Sequence, residues 1–201
     1  MSPTWRARVV DYIRAEATPA DKYGHQPRVY SLATEIGRGM AYDDDILFAA
    51  AWMHDLGVFL GHRPQDPEQL SRWDHVGYTI QRSRDLLSGW GFPREKMEGV
   101  AEAILHHQSK DEPLSVEATL LRDADILEQL GAIAVMRAAA KVGRDTRYPS
   151  FSSILPVLRS AAEELPGKMR LTQTKVIAQS RVEMLRSFLD AIKNEAGDQL
   201  Y

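Results

Sequence analysis

The chain has 201 residues, with 25 Lys+Arg against 28 Asp+Glu and a formal net charge of −3. That length holds one domain with a substantial core, and that charge gives no basic field to bind a nucleic-acid backbone. Apolar residues are 44%, charged residues 26% and cysteine is absent, which excludes a wholly disordered chain, disulfide scaffolds, thiolate-held zinc, iron–sulfur clusters and thiol nucleophiles.

The first residues, MSPTWRARVVDYIRAE, are charged throughout and lack an apolar signal core, and the longest apolar run, Ile46 to Met53, is far too short to span a bilayer. A cytoplasmic protein without a membrane or nucleic-acid-polymer partner is expected. Ser2-Pro3 reads as a cap with proline at the first helical position, and Trp5, Val9, Tyr12 and Ile13 mark one helical face. A polar stretch from Thr18 to Gly24 ends that helix, and a second begins near Gln26-Pro27. Asp43-Asp44-Asp45 supplies negative charge at the start of a third helix, Ile46 to about Leu60. That helix is apolar almost all round, which predicts the central buried helix.

Gly61 to Arg72 reads as a loop, Asp74 as the cap of a fourth helix through Leu87, and about Arg94 to His107 as a fifth. Ser115 caps a helical stretch from Val116 toward Leu130 that continues past Gly131 to about Val142. A turn-rich insert, Gly143 to Ser150, precedes a short helix near Ile154 to Glu164 and a terminal helix from about Met169 to Lys193. No segment alternates convincingly as a strand. The predicted class is all-α: a single domain over residues 1–201, with a core of about 22–142 and additional C-terminal helices over about 143–201. The terminal helix offers a surface to its own domain or to a second copy, so a homo-oligomer is open.

His54-Asp55 closes the run ILFAAAWM, where a carboxylate is costly unless paired, hydrogen-bonded or metal-bound. The same anomaly recurs in TLLRDADILEQLGAIAVM, which holds Asp123 and Asp125. Two residues are about 200° apart on a helix, so the two carboxylates face different ways. Bland readings exist: a structural His–Asp hydrogen bond at 54–55, a cap or an ion pair with Arg122 or Arg137 for Asp123, and a solvated loop position for His62. One of the neighbours His106 and His107, at a helix end, can be accounted for by the helix dipole. Taken jointly, a helix-start His25, a buried His54-Asp55, later histidines and an Asp on a later helix form a metal-ligand inventory.

This order resembles the HD-domain superfamily of metal-dependent phosphohydrolases. The residues that carry the resemblance are His25 in HQPRVYSLA, His54-Asp55 in AAAWMHDLG and Asp125 in RDADILEQLGAIAVMR. The segments VAEAILHHQSK and LPGKMRLTQTKVIAQSRVEMLRSFLDAI extend it toward the bacterial YedJ/YpgQ-like HD hydrolases, over about residues 22 to 193. The resemblance implies an all-α bundle of five or more helices around a metal held by His25, His54, Asp55 and Asp125, the second Asp of Asp-Ala-Asp. The chain also departs from particular branches. Phe59 stands where the 5′-deoxyribonucleotidases carry Glu, Gln-Ser-Lys follows His106-His107 where cyclic-dinucleotide phosphodiesterases carry Gly-Tyr-Pro, and HDLGVFLGHRP lacks the pattern of stringent-response hydrolases.

Two imidazoles and two carboxylates make a mixed N/O site that Mn²⁺, Fe²⁺, Co²⁺, Ni²⁺, Zn²⁺ or Mg²⁺ can occupy. The expected activity is hydrolysis of a nucleotide or another small phosphate ester by a metal-activated water. Asp55 is expected to ligate and to accept the water's proton. His75, starting a helix, and His107, ending one, are expected at the pocket rim as acid catalysts or substrate contacts. His107 is preferred over His106 because it aligns with the single His of the resembling segment. Arg28 lies on the face of His25 and is a candidate phosphate clamp, while Arg63 and Lys110 lie in flanking loops. The alternatives are an HD-fold di-iron oxygenase, in which His75 and His107 complete a longer ligand set, and a non-catalytic metal-binding regulatory module.

Overall fold

A computed structural model of the chain describes residues 3–19, 22–144, 147–197 and 199–200. Its elements are helices α1 (Trp5–Glu16), α2 (His25–Ile36), α3 (Asp44–Met53), α4 (Pro67–Ser71), α5 (His75–Gly89), α6 (Met97–Leu105), α7 (Val116–Leu127), α8 (Gly131–Ala139), α9 (Phe151–Lys168) and α10 (Thr172–Ala196), with 3-10 turns at Leu56–Val58 and Arg94–Lys96. No strand occurs among the described residues, and no helix among them is long and apolar enough to cross a membrane. The fold is all-α, as expected. The chain forms two compact units, Met1–Ala124 and Asp125–Tyr201, and the division falls inside the unbroken helix α7.

In the first unit α3 is the centre, packed by α1, α2 and α6. Every residue from Leu47 to Met53 is buried, as an all-round apolar helix requires. Its start is fixed by charge. Asp43 caps the helix by accepting from the Asp45 and Ile46 N–H groups. Lys96 reaches Asp43 at 2.9 Å and Asp45 at 2.7 Å, Arg6 reaches Asp44 at 2.8 Å, and the Tyr30 hydroxyl donates to Asp44 at 2.8 Å. Acidic residues at a helix start are also favoured by its dipole. At the other end α1 starts after Thr4, whose hydroxyl accepts from Ala7 N–H; the expected Ser2 cap lies outside the described residues.

The third helix ends at Met53 rather than near Leu60. The cause is distant in sequence. Gly57 sits against the start of α5, where an added Cβ would lie 2.5 Å from the His75 carbonyl oxygen. The Gly57 N–H donates to the Thr79 hydroxyl and its carbonyl accepts from the Trp73 indole, both at 2.9 Å. These contacts turn the chain out of the helix directly after His54-Asp55. The loop expected over 61–72 holds the short α4, capped by Asp66.

Helix α7 begins as expected, with Ser115 Oγ accepting from Ala118 N–H. It does not run on to Val142. Leu130 is extended and Gly131 has a φ of +81°, so the chain breaks and α8 starts anew. In the second unit α10 packs on α8 and α9, and α8 on α9. Helix α9 runs Phe151–Lys168, longer than the short helix expected, because a capping box of Ser150 and Ser153 starts it early.

Candidate metal centre

His25 is the first residue of α2, His54 the C-cap of α3, Asp55 the residue that leaves it, and His107 follows the end of α6. They converge although up to 82 positions separate them in sequence. His25 and His107 are 3% exposed and His54 is fully buried, while the Asp55 side chain keeps 19% of its exposure. The Nε2 atoms of His25 and His54 face each other at 3.2 Å. Asp55 lies 3.6 Å from His25 Nε2 and 3.9 Å from His54 Nε2.

The ring orientations are set by the backbone. His54 Nδ1 is 2.9 Å from the Ala51 carbonyl oxygen and His107 Nδ1 is 2.6 Å from that of Ile104. A carbonyl only accepts, so each Nδ1 carries the proton and each Nε2 presents a lone pair. A second ring contact that fixes the tautomer is the usual arrangement of a metal-ligating histidine. The His54 and His107 ring centroids are 5.1 Å apart.

Ligand atoms of His54, Asp55 and His107 all lie within 4.8 Å of one another. Asp125 lies on α7, two residues after Asp123. It is half-buried, and its carboxylate accepts from Gln129 Nε2 at 3.2 Å. Asp123, fully buried, lies 3.5 Å from Arg122 Nη1. The donor set therefore fits a divalent cation: imidazole lone pairs and carboxylates gathered in a largely buried pocket.

Burial raises the Asp55 carboxyl, but the positive charge that His54, His25 and His107 bring when protonated, and then that of Lys22, outweighs it and holds the group well below the usual carboxylate range. Lys22, in the turn before α2, escaped the sequence reading because nothing local marks it. His107 differs from expectation in a specific way. The sequence predicts a rim position, yet the residue is buried beside His54 and Asp55, because its ring folds back onto the last turn of α6. His106 turns away to Glu102 at 3.1 Å. His75 is half-buried and outside the His54–Asp55–His107 group, with its Nε2 3.2 Å from Gln108 Nε2.

Arg28 is half-buried one turn after His25, and its guanidinium lies over Gly24, where an added Cβ would be 2.6 Å from Nη1. Arg63 is half-buried in the turn after Phe59, and Lys110 is exposed. His62 is not solvated. Its ring is 5% exposed, with Nδ1 2.8 Å from the Tyr78 hydroxyl and Nε2 3.0 Å from Glu16.

The HD domain family model matches residues 23–130, more than half of the chain. The chain therefore belongs to the HD domain family, and it has the fold of the HD-superfamily hydrolases. YpgQ of Bacillus subtilis (strain 168) is 28% identical over 141 residues, covering 67% of this chain and 62% of YpgQ. The aligned part thus spans less than two thirds of that relative. The crystal structure of B. subtilis YpgQ superposes with a TM-score of 0.72 at 20% identity and covers 97% of each chain. Its structure in complex with ADP gives a TM-score of 0.67 at 21% identity over 96% of each chain. A protein described as a predicted HD superfamily hydrolase from an uncultured Thermotogales bacterium gives 0.65 at 22% identity, over 95% of this chain and 92% of that one.

Proposed function

We propose that this protein is a divalent-metal-dependent phosphohydrolase acting on a nucleotide or another small phosphate ester. Residues of about 22–142 form its catalytic core, and about 143–201 a helical elaboration. The observation that carries the reading is the convergence of imidazole Nε2 lone pairs on the Asp55 carboxylate, with His54 and His107 locked by their own backbone. His25, His54, Asp55 and Asp125 are assigned to the metal, and His107 joins them as the ring nearest the His54–Asp55 pair. A divalent ion there supplies Lewis-acid polarisation of a phosphoryl oxygen and a lowered pKa for a bound water.

The chain's own residues do the rest. A carboxylate oxygen of Asp55 takes the proton of the attacking water. His75, anchored by Gln108 beside the Gly57 turn, donates a proton to the leaving group or contacts phosphate. Arg28 supplies a guanidinium to phosphoryl oxygens, with Arg63 and Lys110 as further cationic contacts. A nucleotide substrate is favoured because YpgQ has been crystallised in complex with ADP.

The test is phosphate or pyrophosphate release from a panel of nucleoside mono-, di- and triphosphates and sugar phosphates, with Mn²⁺, Co²⁺ or Mg²⁺ added. Release that a chelator abolishes supports the reading. No release from any substrate with a fully metallated protein refutes it. The placement of His107 beside His54 and Asp55 favours one second reading, the di-iron oxygenase, whose longer ligand set it would help to complete. Two irons per chain with oxygen consumption would establish that activity instead.

A further inference from the structure

Arg122 is 3% exposed on α7, and in the sequence it stands only as a partner for Asp123. Its guanidinium does more. Nε donates to the Gln108 carbonyl at 3.2 Å and Nη2 to the Ser109 carbonyl at 2.7 Å, while Nη1 lies 3.5 Å from Asp123. The planar fork thus spans two successive carbonyls of the turn that follows α6. That turn carries two consecutive side chains into the pocket. His107 reaches the His54–Asp55 group and Gln108 reaches His75 Nε2. The Gln108 N–H is held by Asp111 at 2.9 Å.

We infer that Arg122 is a positioning residue for the site. Its buried guanidinium fixes the backbone of the turn after α6, so that His107 Nε2 faces His54 and Asp55 while the Gln108 amide meets His75. Carbonyls just past a helix end need donors, and a cation buried among them needs acceptors; the two requirements meet in this one contact. Arg122 precedes Asp125 by three residues on the same helix. It therefore ties the His107 turn to the helix that carries the last carboxylate. Only the turnover measurement of the test rests on the phosphohydrolase reading.

Arg122→Lys keeps a positive charge beside Asp123, but a single ammonium cannot span both carbonyls. The double variant Arg122→Met/Asp123→Asn removes both charges together, so neither is left buried alone, and it serves if the first variant does not fold. In metal-free wild-type protein, ¹⁵N ring signals should show His107 as the Nδ1–H tautomer. In Arg122→Lys that signal should move toward tautomer averaging while His62 stays unchanged. Co²⁺ titration should show affinity weakened by about 10–100-fold, the usual cost of losing an outer partner of a metal ligand. In a His107→Ala background the same substitution should add less than about twofold, because the effect runs through His107.

In turnover, kcat should fall with KM little changed. A protein that turns over nothing defeats the phosphohydrolase reading, whereas the ring signals and the Co²⁺ titration still decide this inference. An unchanged His107 signal overturns it. So does a Co²⁺ loss under about threefold, or a loss in the His107→Ala background as large as in wild type.

Discussion

Gly57→Ala tests how the His54-Asp55 turn is held against α5. The glycine does not have a positive φ, so the added methyl is opposed by contact and not by backbone conformation. The new Cβ would lie 2.5 Å from the His75 carbonyl oxygen, 3.0 Å from His75 Cα and 3.0 Å from Thr79 Oγ1. Two of these are backbone atoms at a helix start and cannot rotate aside. The turn or the first residues of α5 must shift, which costs about 1–3 kcal/mol as overpacking. The shift also strains the Gly57–Thr79 and Trp73–Gly57 hydrogen bonds, each worth about 0.5–1.5 kcal/mol. Loss of unfolded-chain freedom returns about 0.4–1 kcal/mol. The net loss is about 3 kcal/mol, or a Tm lower by about 6–12 °C for a chain of this size. Thermal and urea unfolding followed by circular dichroism measure it. Gly89→Ala is the control, since nothing lies within 4 Å of its added Cβ; it should be neutral or slightly stabilising. A Gly57→Ala loss under about 0.5 kcal/mol, the range of ordinary surface substitutions, would refute the packing argument.

His54→Ala and Asp55→Ala should each abolish metal retention after gel filtration, read by elemental analysis; an unchanged metal content defeats the site assignment. Asp125→Asn should weaken metal binding far more than Asp123→Asn, whose main cost is stability, about 1–3 kcal/mol, because a fully buried carboxylate beside Arg122 is lost. Equal metal losses would show that the ligand was chosen wrongly. At the start of α3, burial raises Asp43, but Lys96 and the Asp45 and Ile46 N–H groups outweigh it, and Asp45 is lowered by Arg6 and then Lys96. Carboxyls lowered on folding contribute stability that is present above their unfolded value and lost as pH falls through the folded one. The stability gap between wild type and Lys96→Met should therefore be full at about pH 5–6 and close toward about pH 2. A gap that stays constant down to the lowest pH would remove electrostatics as its source.

How much the sequence discloses depends on how local each cause is. The core position of α3 is readable because seven successive apolar residues leave no polar face. Its end is not, because the Gly57 turn is dictated by the His75 carbonyl, eighteen positions away. The chemistry of His54, Asp55 and Asp125 shows in the residue types, since polar groups in apolar runs need a reason. The burial of His107 does not show, because a residue just past a helix looks like a loop residue until its ring is seen folded back on Ile104. His62 looks like a solvated loop residue for the same reason. Glu16 and Tyr78, which hold it, come from α1 and α5.

The two histidines that the backbone locks use the same device. His54 and His107 each end a helix and each donate Nδ1–H to the carbonyl three residues earlier, Ala51 and Ile104. A carbonyl in the last turn of a helix has no partner further along the helix, so it is free to accept from a side chain. The imidazole therefore completes the helix end while its Nε2 is aimed outward. Placing a histidine at a helix terminus accordingly satisfies the backbone and sets the ligand tautomer with a single hydrogen bond. His25 stands at the opposite kind of terminus, the start of α2. Its Nε2 lies across from His54 and beside Asp55. The rings thus meet from two helix ends and one helix start, and the two Nδ1–carbonyl bonds set the tautomers of His54 and His107 before any cation arrives.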